Sequence, residues 1–288
     1  MPIIDTHCHY NLEPLYSGQT SHFKIKDQDL ILKQNWQQHW QKAQARGVKK
    51  SIIVGPSLNY SQKAIEIAEQ EQDLYAAVGI HPEEIDQIDE VAIAIDKLAQ
   101  LTQSKKVVAI GETGLDYFYL AAKSDDETQQ IKANQQELFI AQIKLANQLD
   151  LPLVLHVRDQ REAAYFATLE LIEQYWQFKN PLIFHCVSGP LAYIKKALTM
   201  KQSYFGFAGN ITFKKADQIR EIFSLVQKTD PTKILLETDS PYLAPEPHRG
   251  QICEPHMIGQ TAKFIQIQLG ADLAKIYQNS LRAFKLEK

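Results

Sequence analysis

Eight short β-rich runs, several of them nearly unbroken in apolar residues, alternate along the chain with longer amphipathic stretches, and this alternation narrows the fold more than any other feature. The runs cover residues 2–9, 51–55, 75–79, 106–111, 152–157, 181–186, 204–208 and 233–238. Leu153-Val154-Leu155, Leu182-Ile183-Phe184 and Ile234-Leu235-Leu236 lack polar alternation, as strands of a parallel sheet covered on both faces do. Each intervening stretch can hold a crossover helix. One of them, Leu138-Phe139…Ile143…Leu145-Ala146…Leu149, keeps the i, i+3/i+4, i+7 spacing of a helix with one buried face. Eight β-then-α units in 288 residues predict an α/β fold, a (β/α)8 barrel of the TIM type. The alternative, a doubly wound sheet, gathers its ligand at one switch point rather than from many strand ends. Residues 1–288 read as one barrel domain, with no linker composition and no internal repeat. The starts of runs 1 and 2 lie 49 residues apart, and those of runs 4 and 5 lie 46 apart, which marks segments 10–29 and 118–128 as insertions. Both leave the C-terminal ends of strands and are expected to hang over the active face.

Composition removes several function classes. A formal net charge of −3 gives no general attraction for nucleic acid or anionic lipid, so a polynucleotide substrate needs a local device such as metal ions or a few placed cations. Three cysteines without close spacing argue against a disulfide framework and fit a reducing compartment. No apolar run reaches the roughly 18–20 residues of a membrane span, and no secretory signal is visible at the N-terminus. The expectation is a cytoplasmic protein with no membrane association and no evident obligate protein partner.

The chemistry sits where the apolar runs end. In Ile3-Ile4-Asp5-Thr6-His7-Cys8-His9, the two histidines are i and i+2 on a strand and share a face, so they can share a metal ion. Glu112, His156, His185 and Asp239 each follow another run. Taken singly, each is an ordinary cap or loop residue. Together they place His, His, Glu, His, His and Asp at the ends of five strands, where barrel chemistry assembles. Four imidazoles and two carboxylates suit Zn, Mn or Fe, and the carboxylates also admit Mg. Six ligands are too many for one open catalytic ion and natural for two ions sharing a carboxylate. Such a pair, roughly 3.5–4 Å apart, acidifies a bound water and holds both attacking and leaving oxygens. Hydrolysis at phosphorus or at a carbonyl is the predicted reaction.

At these residues the chain resembles the TatD family of metal-dependent deoxyribonucleases, within the amidohydrolase superfamily. The likeness is carried by Asp5-Thr6-His7-Cys8-His9, Gly79-Ile80-His81-Pro82, Gly111-Glu112-Thr113-Gly114-Leu115-Asp116-Tyr117, His156-Val157-Arg158, Phe184-His185-Cys186, Ile211-Thr212-Phe213, Leu236-Glu237-Thr238-Asp239-Ser240-Pro241-Tyr242-Leu243 and Arg249-Gly250. It implies a TIM-type barrel with two divalent ions (Mg, Mn, Zn or Fe) at its C-terminal mouth. His7 and His9 would bind one ion and His156 and His185 the other. Glu112 would bridge them, and Asp239 would bind the first and serve as general base. The implied reaction is 3′–5′ exonucleolytic hydrolysis of DNA, at single strands or 3′ ends.

Flanking residues complete the substrate side. His81 can hydrogen-bond a phosphate oxygen. Arg158, two residues beyond His156, can pair with a phosphate or with Asp116. Asp116 can orient a ligand histidine, and Arg249 can reach a phosphate from a Pro-rich loop. Tyr10, Tyr117, Phe118 and Tyr119 lie just past strand ends and can stack bases, whereas Trp36 and Trp40 read as packing. Cys8 and Cys186 neighbour ligands on their strands, and alternation turns them away as small buried residues. The chain departs from the family pattern at the substrate mouth: Cys253 precedes Glu254-Pro255 where an Asn is common, Glu83 follows Pro82, Val187 stands where an aromatic is frequent, and segment 10–29 is long. An amidohydrolase cutting an ester, amide, lactone or aminoacyl-tRNA is the competing enzyme class, and a non-catalytic binding barrel is the competing non-enzyme class.

Overall fold

The computed structural model describes residues 1–18, 24–25, 28–29 and 33–287. The runs form eight parallel strands: β1 (Ile3–Cys8), β2 (Val48–Gly55), β3 (Leu74–Val78), β4 (Val107–Asp116), β5 (Leu153–Arg158), β6 (Leu182–Phe184), β7 (Ser203–Phe207) and β8 (Ile234–Leu236). They pair in sequence order around one sheet. Between β8 and β1 the seam is closed just above the strands. Asp239 N–H donates to the His7 carbonyl at 2.9 Å, His9 N–H donates to the Ser240 carbonyl at 2.8 Å, and Cys8 bridges Ser240. Buried Asp5 accepts from the Thr238 backbone N–H at 2.9 Å and its hydroxyl at 2.7 Å across the same seam. Helices α1 (Trp36–Ala45), α2 (Leu58–Glu69), α3 (Val91–Leu101), α4 (Asp125–Leu149), α5 (Ala163–Tyr175), α6 (Leu191–Thr199), α7 (Asp217–Thr229), α8 (Ile258–Leu269) and α9 (Leu273–Ala283) lie between and after the strands. This is the expected TIM-type barrel.

Strand alternation splits the core in two. Ile52, Val54, Ala77, Ala109, Val154, Ile183 and Leu235 face into the barrel, together with Ala283 and Phe284 from the C-terminal helix. The alternate residues, such as Ile53, Val78, Leu153, Leu155 and Phe184, pack outward under the helices. Because the period is two, the inward parity continues upward from Val154 to His156 and Arg158, and just past the strand ends from Ile183 to His185 and from Leu235 to Glu237; Asp239 follows in a turn, with φ +55°. The barrel is therefore apolar low down and ionisable at its mouth.

The two expected insertions take different forms. Segment 118–128 passes through a 3-10 turn at Leu120–Ala122 before the 25-residue helix α4 begins at Asp125. Ser124 is its N-cap in a capping box with Glu127, and Asp125 and Asp126 lie in the first turn, where acidic groups suit the helix dipole. Of segment 10–29, expected to overhang the mouth, residues 19–23 and 26–27 lie outside the described residues; two short strands, Lys24–Ile25 and Gln28–Asp29, pair antiparallel there. Among the described residues no helix is long and apolar enough to cross a membrane.

Candidate metal centre

Glu112 stands at the middle of the mouth because β4 is irregular there. The strand runs on to Asp116, with its register against β5 shifting between Ile110 and Thr113. Gly111 has φ +138°, and a Cβ on it would lie 2.5 Å from the Val154 carbonyl, so the approach of β4 to β5 requires glycine. Helix α4 fixes the two flanking strand ends through buried glutamines seven residues apart. Gln135 exchanges two hydrogen bonds with the Asp116 backbone, at 2.9 and 3.0 Å. Gln142 does the same with Ile80, both at 2.9 Å, and also donates to Thr113 Oγ1 at 2.7 Å.

Around Glu112 the six residues converge. Its Oε2 lies 3.5 Å from His7 Nε2, while its Oε1 lies 2.8 Å from His156 Nδ1 and 3.5 Å from His185 Nε2. One carboxylate thus faces different histidines with its two oxygens. Asp239 Oδ1 is 3.4 Å from His9 Nε2 and 3.9 Å from both His7 Nε2 and His185 Nε2. The donor atoms of His7, His9 and Asp239 all lie within 4.8 Å of one another, as do those of His7, Glu112 and His185. Donors about 2.1 Å from one tetrahedral ion stand roughly 3.4 Å apart, so most of these separations are edges of a coordination shell rather than good hydrogen bonds.

The outer nitrogens are held. His9 Nδ1 lies 2.9 Å from the Val54 carbonyl, which accepts only, so Nδ1 carries a proton and Nε2 is the nitrogen that faces Asp239, 3.4 Å away. His185 Nδ1 is 2.9 Å from Glu237 Oε1, and His156 Nε2 is 2.9 Å from Asp116 Oδ2. Carboxylate and carbonyl partners behind imidazoles are characteristic of metal-binding histidines. His7 is fully buried, and neither of its ring nitrogens has a hydrogen-bond partner. A buried imidazole without a hydrogen-bond partner costs free energy, and a cation at Nε2, among Glu112 and Asp239, would supply the missing partner. The donor set therefore fits divalent metal.

Burial works against charge on His156, but the hydrogen bonds to Asp116 and Glu112 lift its pKa to about 9. His185 is desolvated as well, and Glu237, Asp239 and Glu112 raise it to about 10. Without metal, protons on these rings balance the carboxylates. Glu112 and Asp239 both stay below the usual carboxylate range in spite of burial, because imidazoles surround them. His81 behaves oppositely: burial, with His156 beside it, lowers its pKa to about 3. Its Nδ1 accepts from the Glu83 N–H at 3.1 Å, so the proton sits on Nε2, 3.9 Å from Glu112 Oε1.

Of the other substrate-side residues, Asp116 is buried behind His156, with a side chain 1% exposed. Arg158 Nε donates to it at 2.6 Å and Nη2 reaches Glu83 Oε1 at 3.0 Å. The first pairing follows from register, since Asp116 and Arg158 are partners on adjacent strands. Phe118 and Tyr119 lie beside the Arg158 guanidinium, at 5.1 and 5.0 Å. Arg249 lies over the Phe213 ring at 4.3 Å. Tyr10 is fully buried and Tyr117 nearly so, which removes both from base stacking. Cys8 packs outward as expected and donates to the Ile52 carbonyl at 3.3 Å. At Cys186 alternation does not apply: β6 ends at Phe184, Cys186 turns with φ +42°, and its Sγ stands within 4.8 Å of donor atoms of His185 and Glu237. Glu237 went unrecognised in the sequence, although the inward parity of 235 and 237 marks it. It is fully buried, and Gly206 leaves its slot open, since a Cβ there would collide with Glu237 Oε2.

The model of the family described as TatD related DNase matches residues 4–286. The chain belongs to this TatD family. An uncharacterized metal-dependent hydrolase of Mycoplasma pneumoniae is 33% identical over 99% of this chain and 100% of its own length. The uncharacterized metal-dependent hydrolase YcfH of Escherichia coli (strain K12) is 30% identical over 100% of this chain and 97% of its own. The crystal structure of the TatD homologue YjjV from Escherichia coli K12 matches with a TM-score of 0.77 at 25% identity, covering 99% of this chain and 98% of that one. A TatD family hydrolase from Entamoeba histolytica shares the fold, with a TM-score of 0.77 at 22% identity. As a TatD family member, this chain is a metal-dependent hydrolase whose His, Glu and Asp clusters are able to bind metal.

Proposed function

We propose that this chain is a two-metal phosphodiesterase that shortens DNA from 3′ ends, with single strands as the favoured form, and that its 288 residues act as one catalytic barrel. The observation that carries the reading is the split of Glu112, with Oε2 turned to His7 and Oε1 to His156 and His185. In this assignment His7, His9 and Asp239 hold one ion, His156 and His185 hold the other, and Glu112 serves both. Bound there, the ions supply a clamp on the phosphate oxygens and an acidified water.

The chain's own groups do the rest. Asp239 remains ionised among its histidines and accepts the proton of the attacking water. His81, neutral with its proton on Nε2, donates a hydrogen bond to a phosphate oxygen without adding charge that would compete with the ions. Asp116 and Glu237 keep His156 and His185 turned toward Glu112. Arg158, tied to Asp116 and Glu83, chiefly braces Asp116 and adds positive potential at the rim. Arg249 meets a phosphate further along the strand.

The test adds Mg, Mn or Zn back to metal-stripped protein with single-stranded and duplex DNA and resolves products by size. Release of mononucleotides is expected. Asp239→Asn should lower the rate by roughly 10²–10⁴-fold, the range of a lost general base, and Glu112→Ala should abolish turnover. Turnover of an ester, lactone or aminoacyl-tRNA by metal-loaded protein that leaves DNA intact would overturn the nuclease reading and favour the amidohydrolase class.

A further inference from the structure

Directly beside Asp239, the Pro-rich loop 241–252 lines an open pocket of about 300 Å³ against Phe213, with Tyr242, Leu243, Ala244 and Ile252 among its walls. The lining is mostly apolar, unlike the ionisable mouth next to it. The pocket adjoins the metal centre: Tyr242 N–H donates to the Asp239 carbonyl at 2.8 Å, and the Tyr242 ring lies edge-on to His9 with centroids 6.2 Å apart. Its walls are preformed. Pro241, Pro245 and Pro247 restrict the loop. Cys253 N–H donates to the Pro241 carbonyl at 2.9 Å, His248 N–H to the Pro245 carbonyl at 2.7 Å, and Glu246 N–H to Thr212 Oγ1 at 2.8 Å. A ligand entering it would have little loop ordering to drive.

We infer that this pocket seats a nucleobase of the substrate strand, next to the phosphate held at the metal centre, with Phe213 as its stacking wall. The inference rests on the phosphodiesterase reading and assigns it a base-binding subsite. Three observations converge on a flat aromatic guest. The pocket is of the size that holds a small ligand. Aromatic rings, Phe213 and Tyr242, stand in its wall, and every base offers a π face to such rings. The Arg249 guanidinium already stacks on the Phe213 ring, 4.3 Å from its centroid, so a base takes the part of the ring that Arg249 leaves open, and the cation stands where the phosphate of the same nucleotide or its neighbour would pass. Stacking here also supplies binding that the chain's net charge of −3 does not.

The experiment measures binding of 2′-deoxyadenosine 5′-monophosphate and of 2-deoxyribose 5-phosphate to Mn-loaded protein by titration calorimetry, with DNA cleavage assayed in parallel. The two probes share the sugar phosphate and differ only in the base. The nucleotide should bind roughly 10-fold or more tightly, the scale of one stacked base. Phe213→Leu should erase the difference, Phe213→Tyr should keep it, and neither should alter binding of the sugar phosphate, which reports an intact fold and metal site. Equal affinities for the two probes, or a difference that Phe213→Leu leaves untouched, would overturn the subsite. If DNA is cleaved in that case, the nuclease reading stands without it. A Phe213-dependent difference without DNA cleavage would keep the pocket as a nucleotide site and remove the nuclease reading. A ligand preference for an aliphatic lactone over the nucleotide would overturn both.

Discussion

For three of the imidazoles at the mouth, an oxygen acceptor behind the ring fixes which nitrogen turns to the centre. Val54 does this for His9 with a carbonyl, Glu237 for His185 with a buried carboxylate, and Asp116 for His156. Glu237 is the sharpest case for a test, because it is fully buried and also accepts the Cys186 N–H at 2.6 Å. Glu237→Gln keeps the shape and removes the charge that makes His185 a better ligand. Metal affinity should fall by about 10–100-fold, the usual cost of losing such a partner. Direct titration of stripped protein with Zn or Mn checks this, and an unchanged affinity would show that Glu237 only fills space.

Among the elements, α4 does more than cover the sheet. Its apolar face, with Leu138, Phe139, Ile143, Leu145 and Ala146 buried, docks it against the barrel. The polar members of that same face, Gln135 and Gln142, satisfy the backbone of Asp116 and Ile80 where the strands have ceased to pair regularly. Gln142→Leu would strand the Ile80 N–H and carbonyl together with the Thr113 hydroxyl. A loss of about 1–3 kcal/mol is expected, as for an unsatisfied buried group, and His81, the next residue, should lose its fixed placement. Denaturant unfolding reads the first effect and, on the proposed nuclease reading, a raised KM for DNA the second. A variant as stable as the parent would show that water replaces the glutamine.

For the whole molecule, the metal centre couples stability to pH. His156 and His185 have folded pKa values of about 9 and about 10 without metal, above the ordinary histidine value of about 6.5. Their contribution to stability is full below pH ~6.5 and is lost as pH rises through ~9–10. His81 is depressed to about 3, so it costs stability as pH falls below ~6.5. Metal replaces the protons at the ligand nitrogens and grips more strongly as they leave. The gap in Tm between metal-loaded and metal-stripped protein should therefore widen from pH 6.5 to pH 9. Thermal melts at the two pH values measure it, and a constant gap would mean that His156 and His185 do not exchange protons for metal.

The barrel and the ring of His, Glu and Asp side chains at its mouth were legible in residue order alone, because buried parallel strands favour apolar runs and because a strand's two-residue period places His7 with His9 on one face. The same period, carried up from Leu235, already contained Glu237. What local pattern could not supply came from contacts between segments far apart in the chain. The bulge that turns Glu112 into the mouth arises where β4 meets β5. The loss of Tyr10 and Tyr117 to the core depends on how the helices close over them. Asp116 and Arg158 pair because two strands 42 residues apart share a register. The pocket beside Asp239 exists only once the 241–252 loop folds back onto Phe213. Periodicity is a property of one strand or helix at a time, whereas register, bulges and enclosed volume arise between elements, and only their packing sets them.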